Sequence, residues 1–183
     1  MKLILLNLML IVFNFNVLSQ ESNFRVLENN ELVWIKTFNS KITFNEILLA
    51  LKKNGKFSNI DTAFNSVFGE IKRMPFVFGN SKENSRSQSA TMLSWCDFTG
   101  TFEVNYKEEG YQVVVKNISF VGKPGNDRDN LFIQKPNEVT PLIEMAIKSN
   151  SNEYKKSFLK NIAPFFEYNF NLLFSKIELK NYY

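Results

Sequence analysis

Histidine is missing from this chain altogether. Its absence removes Ser-His and Cys-His nucleophile pairs, the commonest general base and the commonest transition-metal ligand. Cysteine occurs once, as Cys96. One thiol excludes an intramolecular disulfide and a structural zinc site, so a domain of this size must stand on its apolar core. Glycine and proline are scarce, at 7 and 5 residues. No glycine-rich phosphate loop occurs, since GKPG (122–125) lacks both the spacing and the Lys-Ser/Thr ending.

A long hydrophobic run is also lacking. Leu3 to Leu18 is mostly apolar but diluted by Asn7, Asn14 and Asn16, and a membrane span needs about 20 apolar residues to cross about 30 Å of hydrocarbon. The stretch fits a secretory signal instead. Lys2 supplies the positive start, and Val17 and Ser19 stand at −3 and −1 of a cut before Gln20. The expected organisation is a signal peptide over 1–19, an N-terminal extension over 20–30 and one domain over 31–183. The alternative is an uncleaved anchor, which the asparagines disfavour. No cysteine lies near the cut to carry a lipid. The expected location is therefore exported, periplasmic or secreted, with no stable membrane insertion once the signal is gone.

The chain as a whole reads as globular, with 44% hydrophobic and 22% charged residues and much of the apolar load carried by 19 phenylalanines. The formal charge is +4. Lys and Arg are spread along the chain, with short clusters only at Lys52-Lys53 and Lys155-Lys156. A nucleic-acid binder concentrates them on one element, so the expectation is a solvated surface and no nucleic-acid partner.

LVWIKTF (Leu32 to Phe38) is dense in β-formers and reads as a first strand. In KITFNEILLALKKNGK, Thr43 and Glu46 have capping-box spacing and Ile42 and Ile47 that of a hydrophobic staple. Phe44, Ile47, Leu48 and Leu51 form one apolar stripe. A helix is expected over 43–54, with Lys52 and Lys53 at the negative dipole end and Gly55 closing it in a left-handed conformation.

Thr62 to Phe78 reads as one or two strands broken near Pro75. Both parities carry large apolar residues, which leaves the buried face open. Gly79 to Thr91 is polar and reads as a loop. From Cys96 to Tyr106, the even positions Cys96, Phe98, Phe102, Val104 and Tyr106 alternate with Asp97, Thr99, Thr101, Glu103 and Asn105. That is a strand with one wet face. KEEG (107–110) turns it into a partner strand, YQVVVKNISFV. LFIQ (131–134) reads as a short edge strand. Thr140 and Pro141 look like N-cap and N1 of a helix to about Lys148. A further helix is expected near Asn152, ended or kinked at Pro164, with Phe166, Phe170, Leu173 and Ile177 as a stripe for a sheet. The fold class is α+β: an antiparallel sheet with helices packed on one face, in the order β-α-β-β-β-α.

The succession of a signal peptide, LVWIKTF, a helix closing in KKNGK, SVFGEIKR and the FTGTFEVNYKEEGYQVVVKNISF hairpin before a C-terminal helix resembles a known family. It is the domain of unknown function with a TBP-like fold found in exported proteins of Gram-negative bacteria. The likeness spans about residues 31–121 and the final helix. It implies a TBP-like α+β fold, and no activity or site residues are established for that family. DNA binding does not transfer with the fold, because export separates this chain from a genome and its basic residues are scattered.

Candidate chemistry is thin. Cys96 lies on the apolar parity of its strand, which favours a buried, inert thiol. Ser157 and Lys160 spell S-x-x-K, but the accompanying S-D-N and K-T-G of penicillin-binding enzymes are missing. Asp127 and Asp129 sit in a loop that lacks the remaining calcium ligands and turn glycine. No cofactor is implied. Carboxylates such as Glu103, Glu70 and Asp97 are scattered candidates for a two-acid hydrolase, and on such strands acids ordinarily form the wet side. Asn117-Ile118-Ser119 is an N-glycosylation sequon inside a strand. Asp61-Thr62-Ala63 resembles the Asp-Thr-small O-glycosylation pattern of exported proteins in one Gram-negative phylum, a tripeptide that also recurs by chance. The leading reading is an exported, non-catalytic envelope binding module whose partner is a protein, a glycan or an apolar ligand. The alternatives are a carboxylate-based hydrolase of envelope or glycan substrates and a structural subunit of an envelope complex.

Overall fold

The computed structural model of the chain describes residues 22–79, 88–123, 135–149, 151 and 153–177. The proposed cut at Ser19 and Gln20, the aspartates 127 and 129, and LFIQ lie outside them.

Local chemistry sets the first elements. Strand β1 (Phe24–Val26) pairs antiparallel with β2 (Leu32–Asn39), Phe24 opposite Trp34. The segment expected as an extension over 20–30 thus contributes a strand, and Phe24 is in the core. Helix α1 (Phe44–Lys53) starts as its sequence predicts. Glu46 N–H donates to Thr43 Oγ1 at 3.3 Å, and Thr43 N–H donates to Glu46 Oε2 at 2.8 Å. Its end differs from expectation. Asn54 closes the helix, its N–H bonded to Ala50 O and Leu51 O, and Gly55 takes no positive φ.

The segment expected to start at Thr62 is the second half of a hairpin. Strand β3 (Phe57–Ala63) pairs with β4 (Ser66–Pro75). The undecided face has a physical cause. The β4 register against its next neighbour shifts between Ile71 and Met74, and such a bulge flips the inward parity. Val67 and Ile71 are therefore buried before it and Phe76 after it. The polar stretch Gly79 to Thr91 is not wholly a loop, since a short helix α2 (Gln88–Ser94) begins inside it and buries Ala90 and Leu93.

The long hairpin is as expected: β5 (Cys96–Lys107) pairs with β6 (Gly110–Gly122) through Glu108 and Glu109. Gly110 is required there. Its φ is 145°, and a Cβ would lie 2.0 Å from Phe38 O. The even residues Cys96, Phe98, Phe102 and Val104 are buried, as the alternation predicts. Strand β6 also pairs with β2, and its far end with β7 (Val139–Pro141). This last ladder overrides the helix start expected at Thr140. Thr140 is held opposite Phe120, and α3 (Leu142–Ala146) starts later and ends earlier than the sequence suggests.

After α3, Ile147 bridges to Tyr154, which delays the next helix, α4 (Lys156–Asn161), past the start expected near Asn152. Pro164 lies in the first turn of α5 (Ala163–Phe174), consistent with a break before it. A short 3-10 turn, Ser175–Ile177, follows.

Among the described residues the sheet has seven antiparallel strands in the order β1-β2-β6-β5-β4-β3, with β7 beside β6. The fold is the expected antiparallel α+β sheet, with one strand more between α1 and the long hairpin. Helix α5 lies over the sheet's inner face. Its Phe166 ring meets Phe98 and Phe120 at 5.8 and 5.3 Å, and Phe174 meets Phe57 and Phe102 at 5.5 and 5.7 Å. The predicted stripe Phe166, Phe170, Leu173 and Ile177 is buried throughout.

Candidate functional site

The helices leave the other face of the sheet to water. It presents Asp97, Thr99, Thr101, Glu103 and Asn105 of β5, and Gln112, Val114 and Lys116 of β6. Ile35 of β2 and Phe68 of β4 complete it, Ile35 opposite Val114 and Phe68 opposite Glu103. None of these ten residues is buried. The arrangement is broad, sheet-like and chemically mixed, with apolar side chains set among hydrogen-bonding ones.

Two of the three acids considered for hydrolysis are held by cations on this face. Asp97 accepts from Arg73 Nε at 2.7 Å and lies 3.7 Å from Lys123 Nζ. Arg73 is itself fixed, with Nη1 bonded to Asn137 Oδ1 and Nη2 to Gly122 O. Glu103 lies 3.5 Å from Lys116 Nζ. Glu70 stands exposed on β4, opposite Thr101. The three acids share a face but are engaged as its wet side.

Cys96 is 3% exposed. Burial pushes its thiol up to about 11, against the weaker pull of Lys123 and with a further push from Asp97. Ser157 and Lys160 lie exposed on α4. Asn117 sits at a positive φ of 50° in the β6 bulge and donates to Thr101 Oγ1 at 3.1 Å. No cluster of three or more His, Cys, Asp or Glu side chains suited to a metal occurs among the described residues.

Thr62 is exposed on β3, the outermost strand at that end of the sheet. Its N–H donates to the Asp61 carboxylate at 2.8 Å, and a bulge at Asn59, with φ 51°, kinks the same strand. A carboxylate and a bulge both blunt an edge against strand addition.

Sequence reasoning missed two polar residues of α5. Glu167 accepts the Trp34 indole N–H at 2.5 Å and the Asn23 side-chain amide, with Asn171 Nδ2 at 3.3 Å and Lys36 Nζ at 3.6 Å. Asn169, 3% exposed, accepts from Val77 N–H and donates to the carbonyls of Val77 and Phe165. The signal in the sequence is a carboxylate and an amide set in the apolar run APFFEYNFNLLF. Both residues tie the helix to the sheet or its flanking segment, which gives them structural roles.

No family model and no curated protein matches the chain. Two solved structures are similar to it. One is a TBP-like protein from Parabacteroides distasonis, with a TM-score of 0.49 and 10% identity over 82% of this chain and 92% of that one. The other is a DUF4468 family protein from Bacteroides ovatus, with a TM-score of 0.47 and 13% identity over 89% of this chain and 95% of that one. Both are likenesses of shape between chains that share few residues.

Proposed function

We propose that this chain is an exported, non-catalytic binding module of the cell envelope, whose open sheet face receives a macromolecular partner, a protein or a glycan. The observation that carries the reading is that face itself. It combines apolar contacts (Ile35, Val114, Phe68) with the donors and acceptors of Gln112, Thr101, Glu103 and Lys116, the mixed composition of non-obligate interfaces. Its acids support binding over hydrolysis, because Asp97 is paired with the anchored Arg73 and Glu103 faces Lys116 at 3.5 Å. No described helix is long and apolar enough to cross a membrane. Export rests on the Val17/Ser19 junction before Gln20. Thr62, exposed beside Asp61, is the candidate O-glycan acceptor.

The test has two parts. Intact mass of the exported protein should give a chain beginning at Gln20, and a glycan on Thr62 would add to that mass. Pull-downs from envelope extracts with the native chain and with Phe68→Asp plus Val114→Asp should show a partner only for the native chain. Glycan or peptide hydrolysis lost in Glu103→Gln would replace this reading with the hydrolase.

A further inference from the structure

Five non-glycine residues among those described have a positive φ: Asn30, Asn59, Phe64, Asn117 and Asn137. Four are asparagine, which tolerates the left-handed region because its short polar side chain bonds locally. Phe64 is the exception. With φ 52° it forms the tip of the β3–β4 hairpin, and at 103% exposure its ring touches none of the core. A bulky residue at such a φ is an outlier, and asparagine or glycine would relieve it. The two-residue turn between Ala63 and Ser66 calls for a positive φ, but not for phenylalanine: the bulky residue strains the backbone there and its bare ring buries nothing, so the choice of side chain contributes nothing to the fold. Strain retained without structural return points to use by a ligand.

The surroundings indicate its chemistry. Asn65 O accepts from Tyr106 N–H at 2.9 Å, so the turn between β5 and β6 runs beside the tip. That turn exposes Glu108 and Glu109 next to Lys107, and Asp61 is exposed on the β3 side. The tip thus shares its end of the sheet with a net acidic collar: exposed Asp61, Glu108 and Glu109 against exposed Lys107 and Lys41, the last beside Ser40, whose N–H donates to Glu109 O. Such a collar is repelled by an anionic lipid surface and attracted by a cationic rim.

We infer that the β3–β4 hairpin tip is a docking element, with Phe64 as the aromatic anchor for an apolar socket rimmed by lysine or arginine on a protein partner. This deepens the binding-module reading and rests on it. Buried aromatic anchors surrounded by polar contacts are the usual seat of binding energy in protein interfaces.

The experiment places a photoreactive benzoylphenylalanine at position 64 of the full-length chain. The same group goes at exposed Val139 as a control and at Phe68 on the open face, and each protein is irradiated in intact cells. The expected result is a discrete protein adduct at 64 and none at 139. Its yield should fall at least several-fold in Glu108→Lys plus Glu109→Lys, and the partner peptide should carry Lys or Arg beside apolar residues. Adducts at 68 with none at 64 would overturn the tip assignment and leave the binding-module reading standing. Equal labelling at 139 overturns it as well, and so does sedimentation with phosphatidylethanolamine–phosphatidylglycerol vesicles that depends on Phe64. Thermal unfolding supplies the second measurement. Phe64→Asn should keep or raise the midpoint, by up to about 2–4 °C, while abolishing the adduct partner's binding. A lowered midpoint would make Phe64 a structural residue and end the proposal.

Discussion

Glu167 on α5 accepts the indole N–H of Trp34 on β2 at 2.5 Å, across 133 positions of sequence. Trp34 is fully buried, and a buried indole N–H without an acceptor is costly. Glu167→Ala should destabilise the protein by about 1–3 kcal/mol, measured by urea denaturation. Glu167→Gln, which keeps an acceptor oxygen, should lose less. Trp34 fluorescence should change in the alanine variant first, and an unchanged midpoint would show that the contact contributes nothing.

The start of α1 gives a second expectation. Thr43→Ala removes the cap and should cost about 1 kcal/mol. The Thr43 backbone N–H, and next its hydroxyl, hold the Glu46 carboxyl below its ordinary value. A lowered carboxyl stabilises the fold above the unfolded-state value and loses that contribution as pH falls through the folded one. The difference between native protein and Glu46→Gln should therefore narrow on acidification.

Tyr154 presents the opposite case. Its ring stacks on Phe158 with centroids 6.1 Å apart, yet its hydroxyl is buried with no hydrogen-bond partner among the described residues. Tyr154→Phe keeps the stacking and removes a desolvated group. It should be neutral or stabilising by about 1 kcal/mol, read from the denaturation midpoint. A clear loss of stability would reveal a partner for the hydroxyl.

Cys96 should react slowly with a thiol reagent in the native protein and quickly once unfolded. Burial raises its thiol from 9.0 to about 11. A raised acid stabilises the fold below the unfolded-state value and ceases to as pH climbs through the folded one. Relative to Cys96→Ala, the native chain should thus lose stability between about pH 9 and 11. Fast native labelling at neutral pH would overturn both the burial and the inertness.

What could be read from sequence divides by the range of the interaction that decides it. The Thr43/Glu46 box lies within one turn, and the alternation of β5 needs only neighbours two apart, so both are visible in a local window. The β4 parity was hidden because a single extra residue between Ile71 and Met74 exchanges the faces midway. Thr140-Pro141 carries a true helix-start signal, but three ladder positions against β6 outweigh it. Glu167 was invisible as a functional position for its fold, since its meaning depends on Trp34. Phe64 carries no local signal, because a turn aromatic gains significance only through its φ and its exposure.

The position of α5 in the chain has a consequence for how the protein comes into being. The strands carrying Phe98, Phe102 and Phe120 precede the helix that covers them, and Phe174 lies almost at the end of the described residues. β2 likewise waits for β6. During vectorial emergence, from a ribosome or a translocation channel, the aromatic face has no cover until nearly the whole length is free. Folding of such a chain is late and concerted, with pairings distant in sequence. A truncation before Ala163 would leave Phe98, Phe102 and Phe120 without the helix that covers them.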